Sequence, residues 1–139
     1  MINFSVAGTP VGKARPRVTR SGRVYTPEST AQAEQAIRQA AQQAMQGWPT
    51  NGKPMEGPLA VTIYFVMPIP ASWSKKLRED ASSGFIAHIS RPDLDNLIKA
   101  VLDALNGIAY NDDSQICSVS ASKFYAQEDK TIVTIFTED

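Results

Sequence analysis

The sequence predicts a mixed α/β domain, a small mixed sheet of about four strands with helices packed against it. Three observations carry this. Four separate stretches read as strands, several of them with apolar residues at alternate positions. Two longer segments repeat their apolar residues at helical spacing instead. The 139 residues suffice for one sizeable core, and no repeat, low-complexity tract or boundary divides residues 1–139.

Ile2, Phe4 and Val6 alternate with Asn3 and Ser5, and Gly8-Thr9-Pro10 ends that first strand. Residues 11–26 are rich in Gly and Arg, and Thr19 to Val24 reads as a hairpin tip or a flexible loop. Thr26-Pro27-Glu28 reads as a helix start, with proline at the first helical position. Ala33, Ala36, Ile37, Ala40, Ala41 and Ala44 then form a small apolar face, until Gly47 and Pro49 stop the helix. Leu59, Val61, Ile63 and Phe65 share one face of a second strand, which Pro68 and Pro70 end. Ser72 to Asp80 reads as a short helix. Leu94, Leu97, Ile98, Val101, Leu102 and Leu105 make the strongest helical stripe, closed by Asn106-Gly107. Cys117, Val119 and Ala121 alternate with serines in a third strand. Gln127-Glu128-Asp129 reads as a turn into a last strand, Thr131 to Thr137, so a C-terminal hairpin is expected.

Composition is ordinary for a globular chain, with 42% hydrophobic and 20% charged residues. No apolar run approaches the roughly 18–20 residues that span a membrane. Met1-Ile2-Asn3-Phe4 shows no basic segment leading into an apolar one, so no leader is expected. The single cysteine, Cys117, excludes an internal disulfide and cannot build a zinc site alone. A reducing cytoplasm is the expected location. Net charge is zero but unevenly spread. Residues 1–53 hold seven bases and two acids, a net +5, and residues 54–139 hold seven bases and twelve acids, a net −5. That division suggests an anionic partner held by one part and a cation held by the other.

Asp93, Asp95, Asn96 and Lys99 fall within seven residues, and Asp112-Asp113 follow about one helix length later. Carboxylates this close repel one another unless a cation lies between them. Asp93 and Asp95 cannot converge as helix neighbours, since positions i and i+2 lie roughly 200° apart. Pro92 resolves this by permitting helix only from about that point onward. Asp93 is then expected at or before the N-cap, and Asp95 in the first turn. Asp95, Lys99 and Asp103 follow on one face, opposite the leucine stripe. Magnesium suits such a site, because it prefers hard oxygen ligands and keeps several waters. Lys99 can donate to a phosphate or a leaving oxygen, or simply pair with Asp95. Asp112 and Asp113 join the site only if their loop returns toward the start of the helix.

The segment from Arg91-Pro92-Asp93-Leu94-Asp95-Asn96-Leu97 through Lys99 to Gly107, followed by Tyr110-Asn111-Asp112-Asp113-Ser114-Gln115-Ile116, closely resembles the core of the RusA family of Holliday junction resolvases. The resemblance extends to Gly8-Thr9-Pro10, Lys13-Ala14-Arg15-Pro16-Arg17 and Tyr25-Thr26-Pro27, and so covers most of the chain. It implies a dimeric α/β fold, often encoded by prophages, that cuts four-way DNA junctions. It also implies a magnesium-dependent active site of Asp93, Asp95 and Asp113, for which manganese can substitute. The resemblance further implies that Lys99 is needed for cleavage, and Asn96, Asp103 and Asp112 are expected to be supporting residues. The second acidic loop is then expected to reach the first. Some family members carry an arginine run before the Asp-Leu-Asp element, where this chain has only Arg91.

Lys13, Arg15, Arg17, Arg20 and Arg23 place five positive charges in eleven residues with no acid between them. Such a loop tracks DNA phosphates, with Arg91 as a further contact. His88 is read as a packed or surface residue rather than a proton carrier, and Cys117 as a small core residue. Trp48 and Trp73 are read as packing residues, although either could stack on bases. Lys75-Lys76 divide evenly between DNA contact and solvated surface. The activity expected is a magnesium-dependent endodeoxyribonuclease that resolves Holliday junctions by paired cuts as a homodimer. The alternatives are a junction-binding protein without catalysis and a metal-dependent nucleotide hydrolase.

Overall fold

The computed structural model of the chain describes residues 1–14, 17–25 and 28–138. The elements run β1 (Ile2–Ala7), β2 (Arg17–Val18), β3 (Val24–Tyr25), α1 (Glu28–Met45), β4 (Leu59–Pro68), α2 (Lys75–Ser82), α3 (Leu94–Leu105), a 3₁₀ turn (Asp113–Gln115), β5 (Ile116–Ala126) and β6 (Lys130–Thr137). The mixed sheet of four strands was expected, and its order is β1-β6-β4-β5. The expected hairpin tip is the two-stranded β2-β3 ribbon. The helix start expected at Thr26-Pro27 lies outside the described residues.

The expected C-terminal hairpin does not form. β5 pairs in parallel with β4, and β6 pairs antiparallel with β4 on its other edge. Burial explains the order. Leu59, Val61, Ile63 and Phe65 on one face of β4 are buried, and so are Ala60 and Val66 on the other. A strand apolar on both faces belongs in the interior of a sheet. β5, mostly exposed, takes the edge. One strand, β4, lies between β5 and β6, so they are two strand spacings or about 9–10 Å apart, which the three-residue link 127–129 can span.

α1 and α3 cover one face of the sheet. Ile37, Ala41 and Met45 of α1 meet Leu97, Val101 and Leu105 of α3 above Ile63, Val133 and Ile135 in one continuous core. Leu97 is fully buried, worth about 1.5–3 kcal/mol relative to exposure. The leucine stripe therefore fixes how α3 lies, and the site residues are carried on its opposite side. Two packing expectations fail. Trp48 is 89% exposed in the loop after α1, and Cys117 is exposed because it lies on the edge strand beyond the helices. Trp73 does pack, edge-on against Tyr125 at 5.3 Å, beside the buried His88. The short helix expected from Ser72 begins after Ser74, whose hydroxyl accepts from the Leu77 N–H. Among the described residues, no helix is long and apolar enough to cross a membrane.

Candidate active site

Asp93 is the N-cap of α3, with extended backbone angles, as Pro92 led us to expect. Its carboxylate makes no capping hydrogen bond, so its oxygens are not spent on the helix. Asp95 follows in the first turn, exposed. Lys99 is exposed one turn on, and among the described residues neither it nor Asp95 enters an ion pair. Two contacts steady the approach to Asp93. The Lys123 ammonium donates to the Ser90 carbonyl at 2.7 Å and the Pro92 carbonyl at 3.0 Å. Gly12 lies against the same turn, where an added Cβ would stand 3.2 Å from the Pro92 Cβ and 3.4 Å from the Asn96 Cβ. Only a residue without a side chain lets the loop come so close.

That close approach joins the basic loop to the acidic helix start. The Lys13 N–H donates to the Asn96 carbonyl at 3.1 Å. A cleft of about 530 Å³ opens between them, lined by Lys13, Arg91, Asp93 and Asn96 among others. The Lys13 ammonium itself is engaged by Glu34 and, at 3.5 Å, by Asp103. Its bond to Glu34 holds it above the ordinary lysine range. It therefore ties α1, α3 and the loop together. Arg20 and Arg23 sit on the exposed turn of the β2-β3 ribbon, with Gly22 supplying the positive φ. The backbone of Arg17 pairs with Tyr25, and Arg15 lies outside the described residues.

The second acidic pair lies at the other end of α3. The Asp113 N–H donates to the Asn106 Oδ1 at 2.9 Å, and Asn106 is the helix C-cap. Asp112 caps the 3₁₀ turn by accepting from the Ser114 N–H, while the Gln115 Oε1 accepts from the Asn111 and Asp112 N–H groups. The Gln115 Nε2 then donates to the Met55 and Gly57 carbonyls. The buried Tyr110 hydroxyl donates to the Leu102 carbonyl at 2.6 Å. The bond from Ser114 draws the Asp112 carboxyl below the usual range, and sharing a hydrogen bond with Asp112 lifts that of Asp113 above it. The Asp112–Gln115 spacing is that of a capping box, the one signal that could have singled out Gln115 in advance. Lys123, between Ser122 and Phe124 on a strand, gave no such signal.

Asp95 and Asn106 are eleven residues apart along α3, roughly 16 Å at 1.5 Å per residue. The second acidic loop thus stays at the far end of the helix. Among the described residues, no three His, Cys, Asp or Glu side chains come together closely enough to hold a metal. Asp93 and Asp95 still offer two hard oxygen donors, and magnesium is commonly held by one or two carboxylates with waters and substrate phosphate.

Comparison with known proteins decides the family. The model of endodeoxyribonuclease RusA matches residues 7–136. The chain belongs to the RusA family. It is also 38% identical over 137 residues to the uncharacterized protein YqaN of Bacillus subtilis (strain 168), covering 96% of this chain and 94% of that one. RusA proteins are nucleases that bind DNA junctions and generally depend on a divalent metal. In this RusA chain, among the described residues, the Asp93 and Asp95 carboxylates at the start of α3 enter no ion pair.

Proposed function

We propose that this protein is a magnesium-dependent, structure-selective endodeoxyribonuclease that resolves Holliday junctions by paired cleavage as a homodimer. The observation that carries the reading is the cleft where Lys13, Arg91 and Asp93 meet. It sets the Arg91 charge for a phosphate backbone beside the Asp93 carboxylate, which makes no capping hydrogen bond to the helix it begins. Arg91 and the exposed Arg20 and Arg23 bind backbone phosphates, together with Arg15 and Arg17 of the same loop. Lys13 contributes by holding the loop on the helix. Asp93, Asp95 and Asp113 are the proposed metal ligands, with manganese able to substitute. A bound divalent ion supplies an activated water and neutralises charge at the scissile phosphate. Lys99 donates to the phosphate as charge develops on the leaving oxygen. Asn96, Asp103 and Asp112 support the site through the Asn96 carbonyl, the Lys13 bridge and the cap of the 3₁₀ turn. The RusA resemblance suggests a bacterial cytoplasm or a prophage as the setting.

The test is direct. With magnesium, the purified protein is expected to cut a synthetic four-way junction in paired strands and to spare linear duplex of the same sequence. Equal cutting of linear duplex would remove the structure selectivity. Release of mononucleotides without junction cutting would replace the reading with a nucleotide hydrolase.

A further inference from the structure

We infer that Phe85 and Ile89, on the segment between α2 and α3, enter the centre of a four-way junction and pack on bases unstacked there. The inference rests on the junction-resolving reading above and names the residues that recognise the branch.

Phe85 and Ile89 are 82% and 91% exposed, and with Trp48 they are the most exposed large apolar side chains among the described residues. Single apolar residues on a surface need no explanation, but two within five residues of one segment do. Gly84, with a positive φ, ends α2, and the Phe85 N–H donates back to the Asp80 carbonyl at 2.9 Å. An apolar residue at that position ordinarily folds onto the helix's last turn. Here that turn offers Glu79 and Asp80, and the Phe85 ring stays in solvent.

The backbone that carries the pair is held in place. Ile86 packs against the core, and His88 is buried with its ring 4.8 Å from that of Tyr125. The Lys123 ammonium takes the Ser90 and Pro92 carbonyls. Phe85 and Ile89 are therefore presented on a fixed support, and little order is lost when they bind.

The same segment runs directly into the cleft. Ile89 stands two residues before Arg91 and four before Asp93. Four residues span at most about 14 Å. Phosphates follow one another about every 3.4 Å along a duplex strand, so Ile89 lies within roughly four nucleotides of a phosphate held at Asp93. No acid occurs between Phe85 and Pro92, so nothing on the segment repels the DNA backbone. The partner of an apolar side chain on DNA is the face of a base. In linear duplex those faces are covered, and an inserted side chain must first break the stack. Where four strands exchange, the stack is already interrupted and that cost falls. Phe85 and Ile89 thus favour the branch over linear duplex, and this difference in affinity is selectivity.

The test uses the Asp95→Asn chain with magnesium, which is expected to bind without cutting. Its affinity is measured for a synthetic four-way junction and for linear duplex of the same sequence. A fluorescent aminopurine beside the exchange point brightens when that base leaves the stack. The Asp95→Asn chain is expected to prefer the junction and to brighten the probe. Adding Phe85→Ala or Ile89→Ala is expected to weaken junction binding roughly tenfold and to reduce the brightening. Duplex affinity is expected to stay unchanged, and Phe85→Trp to keep junction affinity. Unchanged junction affinity and brightening in both alanine variants would overturn the inference and leave junction cleavage standing. Equal losses on junction and duplex would also overturn it. A changed oligomeric state of the DNA-free alanine variants would do the same, since the pair would then cover another copy. An Asp95→Asn chain without preference for the junction would overturn the structure-selective reading itself.

Discussion

The two ends of α3 handle their carboxylates in opposite ways. At the start, Asp93 takes the N-cap position without making the capping bond, and the segment before it is held by others, Lys123 through the carbonyls and Gly12 through close packing. At the end, Asp112 spends its oxygens on the 3₁₀ turn, and the whole loop is fixed by Asn106, Gln115 and Tyr110. A carboxylate available for a ligand must be positioned by its surroundings instead of by its own hydrogen bonds. The start of α3 provides that for Asp93. The end of α3 provides it for Asp113, whose backbone is held while Asp112 does the capping.

The largest effect separates ligand work from folding. Asp95→Asn keeps the side chain's shape and removes its charge. It is expected to lower single-turnover junction cleavage on the order of 10³-fold, in keeping with the several kcal/mol a metal site supplies. Junction binding measured by gel shift is expected to stay within a few-fold. Equal losses of both would assign Asp95 to binding or structure.

A smaller effect breaks the other end alone. Asn106→Ala leaves the Asp113 N–H without its acceptor, a loss of about 1 kcal/mol. Amide exchange is expected to quicken at Asp113 to Gln115 and to stay unchanged at Lys13, whose N–H docks on the helix start. Exchange that quickens at both ends would show that α3 responds as one unit.

The smallest effect is a pH dependence confined to the first end. Burial, with help from the Lys123 charge, holds His88 below its ordinary value. The unfolded chain then takes up the proton more readily, so the stability from His88 is complete above about pH 6.5 and declines below it. The difference in unfolding midpoint between wild type and His88→Gln is expected to narrow from pH 7.5 to pH 5.5. A difference that stays constant would remove His88 as the cause.

Local features of this chain were readable in its sequence, and long-range ones were not. The leucine stripe specifies α3 because spacing along one helix decides it, and Pro92 locates its N-cap for the same reason. The strand order escaped because pairing is a property of distant segments. β5 and β6 adjoin across an evident turn, yet the burial of Ala60 and Val66 as well as the Leu59 face puts β4 between them. Cys117 and Trp48 are exposed because of where the helix layer and the loop after α1 end, which no nearby residue signals. The carboxylates were recognisable as chemistry, and the roughly 16 Å of helix from Asp95 to Asn106 that separates them was not. The course of the second loop depends on Asn106 and Gln115, whose bonding partners lie up to sixty residues away.

A crystal of the wild-type protein soaked in manganese tests the proposed metal site most directly. The account predicts an anomalous peak touching the Asp93 and Asp95 carboxylates at the start of α3. A peak held by Asp112 and Asp113 without Asp93 or Asp95, or no peak at all, would contradict it.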